Sequence, residues 1–279
     1  MTNLADKLTI NTTLARQILV AFLRDEVHRT GLSRAVIGLS GGIDSALACL
    51  LAAEALEPEN VLAVRMPYTS SSPESLAHAQ LVIDQSGVQS ETFEITGMVD
   101  PLLVTIPVDA EAGKRRGNVM ARARMIVLYD RSAATRALVI GTGNKTEVML
   151  GYTTLFGDSA SALNPLGDLY KTQVRQLSRA IGVPAPIIDK PPSADLWPGQ
   201  TDEGEMGLTY EQVDPLLYLL VDQRYTPEEC VEAGFDKTFV EKVLRAIRQN
   251  QFKRMPPIVA KLSNRTVGYD FLYLRDWGT

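Results

Sequence analysis

The chain has 279 residues, 45% hydrophobic and 22% charged, enough for one large domain or two small ones with a substantial core, which excludes disorder as its main state. Two cysteines exclude a disulfide framework and a thiolate metal site, while a net charge of -5 argues against nucleic-acid capture by an overall basic field, and two histidines (His28 and His78) with no carboxylate motif around them argue against a histidine metal site or a Ser-His-Asp triad; small anionic ligands stay open. No apolar run approaches the roughly 20 residues of a membrane-spanning helix, and MTNLADKL carries Asp6 where a signal peptide is apolar, so a soluble, cytoplasmic chain binding neither nucleic acid nor membrane is expected.

The first predicted helix covers 14–27, where Leu14, Ile18, Phe22 and Leu19, Leu23, Val27 recur at helical spacing behind Thr12 and Thr13, both good N-caps. The apolar run AVIGLS (35–40) reads as a strand, Gly41-Gly42 as a turn, and IDSALACLLAAEAL as a buried helix, too long for a strand. The unit repeats as a strand at 61–67, a helix at 73–85, a strand at 90–96 and, after another helix, a strand at 136–143. This alternation predicts an α/β fold, a doubly wound parallel sheet with helices on both faces, in a single domain over 1–279. Ligands of such sheets bind beyond the carboxyl ends of the strands, where residues 40–45 and 142–147 lie. Residues 105–117 and 189–207, rich in Gly, Pro and charge, are expected to be mobile loops; lids fit both, and a passive surface excursion fits the first equally. Helices near 211–223 and 237–249 precede a proline-interrupted tail.

The sharpest local signal is Ser40-Gly41-Gly42-Ile43-Asp44-Ser45 between a strand and a helix. Glycines there permit positive φ and close approach, and a helix N-terminus offers backbone N–H groups to phosphate oxygens. A tight strand-helix turn with a hydroxyl at each end accounts for the same residues. No Gly-x-x-x-x-Gly-Lys-Ser/Thr string occurs, and Gly141-Thr142-Gly143 is followed by Thr146 where a dinucleotide fingerprint has its third glycine.

SGGIDS resembles the signature of the N-type ATP pyrophosphatases. NVMARARM (118–125), GTGNKTE (141–147), GYTTLFGD (151–158), LYKTQV (169–174), PPSADLWPGQTDEGEMG (191–207) and QFKRMPPIVAK (251–261) resemble, in that order, the ammonia-dependent NAD synthetase family, from Arg34 to the C-terminus. The resemblance implies an adenine nucleotide alpha-hydrolase-like fold and a C–N bond-forming ligase. Such an enzyme uses ATP to adenylate deamido-NAD and ammonia to amidate the acyl-adenylate, releasing AMP and pyrophosphate. It also implies a homodimer in which Phe252 and Lys253 serve the neighbour's site.

Carried over by motif, Gly38, Leu39, Ser40, Gly41, Gly42, Ile43, Asp44 and Ser45 contact ATP, with Thr142, Lys171 and Ser193 as further ATP contacts. Asp44 and Glu147 hold Mg²⁺, and Arg122, Phe252 and Lys253 contact deamido-NAD. Lys171 is expected to stabilise the departing pyrophosphate and Asp158 to accept the ammonium proton, which makes these two the expected catalytic pair. Each has a plainer reading: Arg122 or Arg124 facing solvent, Glu147 as an acid at a helix start, Lys171 on a solvated face, Asp158 as a turn or cap acid. Lys114, Arg115 and Arg116 form a charge run with no assigned role. Phe252 replaces a histidine, Leu155 a lysine and Ala162 an aspartate of many members, so polar recognition of the dinucleotide is partly replaced. Another N-type ATP pyrophosphatase adenylating a different substrate, or a nucleotide-binding regulator without chemistry, are the alternatives. Cys49 in an apolar helix and Cys230 among Glu228, Glu229 and Glu232 suit no nucleophile, so free ammonia rather than glutamine is the expected nitrogen source.

Overall fold

Short apolar runs become strands wherever glycine or proline punctuation bounds them, and longer ones become helices. A computed structural model of the chain describes residues 4–107, 112–193, 195–196, 199–255 and 257–268. It opens with α1 (Leu4–Lys7), α2 (Thr12–Arg29), β1 (Arg34–Gly38), α3 (Ile43–Leu56), β2 (Val61–Arg65), α4 (Pro73–Ser86), β3 (Gln89–Thr92), α5 (Thr96–Leu103), α6 (Ala112–Thr135) and β4 (Ala137–Ile140). The four strands are parallel, in the order β3-β2-β1-β4, with Ala35 opposite both Val61 and Leu138. Winding therefore runs one way from β1 to β3 and reverses between β1 and β4, where sheets of this kind open a crevice at their carboxyl edge.

Side chains alternate across β1: Ala35 and Ile37 pack under α3, whereas Val36 joins Val64, Val139 and the α6 residues Met120 and Val127 on the other face. Both faces are covered, as expected. Helix α3 is apolar almost throughout because nearly all of it is buried; Glu54, the exposed exception, pairs with Arg16 at 2.8 Å. After β4 come α7 (Lys145–Leu150), α8 (Lys171–Ile181), α9 (Ala185–Asp189), α10 (Asp202–Met206), α11 (Tyr210–Leu217), α12 (Pro227–Glu232) and α13 (Lys237–Gln249). Their own core gathers Tyr170, Tyr210, Leu216, Leu217, Val240 and Val243. Among the described residues no helix is long and apolar enough to cross a membrane.

Five details of the expected elements differ in the structure. The cap of α2 is Asn11, whose side chain accepts the Leu14 N–H at 3.0 Å, rather than Thr12 or Thr13. Only one of its two apolar rows packs: Leu23 and Val27 are buried, while Leu14, Ile18 and Phe22 are 51%, 57% and 36% exposed. Residues 112–117 are helical, not loop, because alanine, lysine and arginine favour helix strongly enough to carry Gly113 and Gly117; residues 108–111 lie outside the described residues. The polar stretch 189–207 contains α10, capped by Thr201 and ended by Gly207 at φ +61°. The helix expected over 211–223 is α11 followed by a π turn over Tyr218–Asp222, in which the Gln223 N–H donates to the Tyr218 carbonyl.

Candidate functional site

Strand β1 ends at Gly38, and Leu39 still donates to the Val64 carbonyl at 2.9 Å, so the chain leaves the sheet at Ser40. Gly41 has φ +81°, and a Cβ there would fall far inside contact distance of the Ser75 carbonyl oxygen on α4. Only glycine fits. Ser45 Oγ donates to the Gly42 carbonyl and accepts the Ser40 N–H, and Ser40 Oγ accepts the Gly42 N–H. The hydroxyls at each end thus brace the turn, as its plainer reading holds. Ile43, Asp44 and Ser45 form the first turn of α3, whose cap residue Gly42 has no side chain to satisfy the helix's first N–H groups.

The loop after β4 lies beside it because β1 and β4 are paired. Gly141 is pressed against Ser161, and Thr142 is half-buried next to it. Asn144 caps α7: its Oδ1 accepts the Glu147 N–H at 3.0 Å, and Glu147 Oε2 accepts the Asn144 N–H at 3.2 Å. Glu147 therefore does serve its helix start. Asn144 also reaches across the crevice, its Nδ2 donating to Asp44 Oδ1 at 2.9 Å.

Lys171, the first residue of α8, closes the cluster. Its Nζ lies 2.5 Å from Asp44 Oδ2 and 3.2 Å from Glu147 Oε1, at 2% exposure. A solvated lysine is thereby ruled out. Burial opposes its charge, but Asp44 and Glu147 outweigh burial and hold it protonated above the usual lysine range. Burial pushes the Glu147 carboxyl up to about 7, with the Lys171 charge opposing and the Asp44 charge adding. The Tyr210 ring lies 5.2 Å from the ammonium, and its hydroxyl donates to Asp202 Oδ2 at 3.2 Å. Asn144, Asp202 and Tyr210 were not singled out from the sequence; the acids following Thr201 were the available signal, since they mark a helix start.

A second group gathers on the 151–159 loop. Arg122 on α6 is exposed and donates through Nε to the Leu155 carbonyl at 3.2 Å, whereas Arg124 is turned inward to the Met66 carbonyl. Asp158 Oδ1 accepts the Thr154 N–H at 2.7 Å, which is the turn role, while burial raises its carboxyl above the ordinary range. Lys253 Nζ donates to the Gly151 and Thr153 carbonyls, and burial lowers its affinity for the proton. A cavity of about 150 Å³ joins Gly141 and Gly143 to Asp158, Asn164 and Lys253, linking this group to the β4 loop. Phe252 points outward at 58% exposure, Leu155 is half-buried and Ala162 exposed. Ser193 lies in a separate turn, its Oγ accepting the Asp195 N–H, and that turn is tied to α4 by the Ser72 N–H donating to Asp195. Cys49 and Cys230 are both buried free thiols; burial pushes Cys49 up to about 12 and, with Glu229, raises Cys230.

Residues 15–257 match the family model described as NAD synthase. The chain is 59% identical over 272 residues, 98% of its length and 99% of the relative's, to a protein of Trichlorobacter lovleyi named NH(3)-dependent NAD(+) synthetase. Among solved structures it is similar to NMN synthetase from Francisella tularensis, with a TM-score of 0.80, 32% identity and coverage of 91% of this chain and 100% of that one. It is also similar to NH3-dependent NAD synthetase from Campylobacter jejuni, with a TM-score of 0.77, 29% identity and coverage of 90% and 100%.

Proposed function

The chain belongs to the NAD synthase family, and from that premise we propose that it is an ATP-dependent, C–N bond-forming ligase converting deamido-NAD and ammonia to NAD, AMP and pyrophosphate. The observation that carries the reading is the convergence of Asp44, Glu147 and Lys171 at the switch point of the sheet, beside the glycine turn.

In this reading the turn from Gly38 to Ser45 cradles the ATP phosphates on the N-terminus of α3, and Thr142 and Ser193 complete the nucleotide contacts. The donor set fits Mg²⁺: two hard carboxylate oxygens share one cation position, now held by an ammonium, and Mg²⁺ commonly takes one or two carboxylates plus substrate phosphates. Asp44 and Glu147 would hold it, and it would supply charge neutralisation to the polyphosphate. The nicotinate carboxylate oxygen attacks the α-phosphorus and the bond to pyrophosphate breaks, with Lys171 stabilising the charge that gathers on the leaving group. Ammonia then attacks the acyl carbon and AMP departs. Asp158, held in its turn by the Thr154 N–H, takes the proton that ammonium must lose. Arg122, Phe252 and Lys253 orient the dinucleotide, the last two on behalf of the neighbouring subunit of a homodimer. The exposed apolar side chains Met98, Leu102, Ile126 and Tyr129, on the packed helices α5 and α6, support that dimer. Sedimentation at micromolar concentration is expected to give twice the chain mass; a monomer would remove the shared site.

The deciding assay supplies ATP, Mg²⁺ and either deamido-NAD or nicotinate mononucleotide, with ammonium or glutamine. NAD, AMP and pyrophosphate are expected in equal amounts from deamido-NAD and ammonium, faster as mildly alkaline pH frees ammonia. Glutamine is expected to give only the rate of contaminating ammonia, because both thiols are buried and protonated. Glutamate formed in step with NAD, or no AMP release with deamido-NAD, contradicts the proposal. Preferential turnover of the mononucleotide is the second reading; Leu155 and Ala162, apolar where many relatives place polar contacts to the dinucleotide, favour it.

A further inference from the structure

Asp214 carries a carboxylate into the interior of the helical half, fully buried on α11. Isolated burial of such a charge is strongly unfavourable, so its partners define its purpose. Thr146 Oγ1 donates to Asp214 Oδ1 at 2.6 Å, and the Thr172 N–H donates to Asp214 Oδ2 at 2.8 Å. The Lys171 N–H in turn donates to Thr146 Oγ1 at 3.1 Å. The first two N–H groups of α8 and the first turn of α7 are thus fastened to one carboxylate.

What these groups adjoin is informative. Thr146 immediately precedes Glu147, and Thr172 immediately follows Lys171, so the clasp sits one residue from each. Apolar packing would hold the two helices together equally well, but only directional bonds fix how far each is rotated and advanced. Helix α7 has six residues, too few for its packing alone to set that register. From the other side Asn144 fixes Asp44. We propose that Asp214, acting through Thr146, is a positioning residue that sets Glu147 and Lys171 at the distance from Asp44 required to bind magnesium-complexed ATP. The inference rests on the roles given to Glu147 and Lys171 above.

The test compares Thr146→Val, which keeps the side-chain shape and removes the hydroxyl, with Thr146→Ser, which restores it, and with Asp214→Asn. Calorimetric titration with ATP and Mg²⁺ reads binding; steady-state kinetics read KM for ATP against KM for ammonium. Thr146→Val is expected to weaken binding about tenfold, the usual scale for an outer partner of a metal site. KM for ammonium should stay unchanged, and Thr146→Ser should bind as the parent does. Asp214→Asn should match Thr146→Val, and the double variant should be no worse than the weaker single one. If Asp214→Asn fails to fold, the Val and Ser pair decides. Thr146→Val with a lowered Tm but parental binding, or Val and Ser equally impaired, overturns the proposal. Glu147→Gln is titrated alongside: if it too binds like the parent, the reading of the metal site fails, whereas weak binding by Glu147→Gln with normal binding by Thr146→Val refutes the clasp alone.

Discussion

With Asp44 replaced by Asn, or Glu147 by Gln, kcat/KM for ATP is expected to fall about 10²–10³-fold, the scale on which a single preorganised electrostatic contact acts in a water-poor site. Both replacements keep shape and leave Lys171 one carboxylate partner, so Tm should move little. Lys171→Met removes the ammonium instead, and two largely enclosed carboxylates then face each other. That variant should lose the same activity and in addition about 3–5 kcal/mol of stability, the usual penalty for stripping one partner from a buried ion group. The pH dependence has a definite sign. Desolvation pushes the Glu147 carboxyl up to about 7, and a carboxyl must shed its proton to hold a cation. Apparent Mg²⁺ affinity in the presence of ATP should therefore climb as pH rises through about 7 and level off above about 8; Glu147→Gln should lack that proton's share of the slope. Full turnover by both amide variants at limiting Mg²⁺ would remove these side chains from the metal site.

Gly41→Ala is the second severe change. The left-handed backbone at Gly41 alone disfavours alanine by about 1–2 kcal/mol. The added methyl also meets the Ser75 main chain, which belongs to a packed helix and cannot swing aside as a long side chain does. The turn or α4 must shift. A Tm lower by several degrees and ATP binding weakened at least tenfold are expected, since an ångström of misplacement at a phosphate cradle is sufficient for that. Gly42→Ala is the control for the fold alone, since Gly42 itself belongs to the cradle: its φ is -87°, its Cβ would meet only Ser40 Oγ at 3.3 Å, and its Tm should stay near the parent's. Parental Tm and ATP affinity for Gly41→Ala would show that the turn tolerates a side chain.

The strand pattern was readable because a parallel sheet buried on both faces needs short apolar runs such as AVIG and VLAV, which their length and the glycine or proline that bounds them separate from the longer apolar run of α3. The two loops at its carboxyl edge followed from that order. The same logic hid the rest of the cluster. Asp202 and Asp214 act through contacts with Tyr210 and Thr146, and nothing in TDEGEMG or YEQVDPLL distinguishes a buried acid from one at a helix start. The apolar rows of α2 illustrate the converse: periodicity reveals that a helix has two greasy stripes, but not that one of them, Leu14, Ile18 and Phe22, is left uncovered in the isolated chain. Residues 112–117 were misread because two glycines outweighed four helix formers in the composition, although α6 extends well past them.

Helices α3, α7 and α8 all begin at the crevice, and this has an electrical consequence for a chain of net charge -5. Their macrodipoles point positive ends at one small volume, a field that dies away within a turn or so of each helix. A polyanion approaching from afar meets net repulsion, and attraction takes over only at contact. Ionic strength then acts on the approach more than on the bound state: with a Debye length near 8 Å, physiological salt screens the repulsive outer field and leaves the inner contacts largely intact. Salt should therefore leave the association rate unchanged or raise it, the opposite of a lysine-lined surface that gathers phosphates by long-range steering. An acidic protein can in this way recognise a more acidic ligand without carrying a basic exterior that would also collect every other polyanion in the cell.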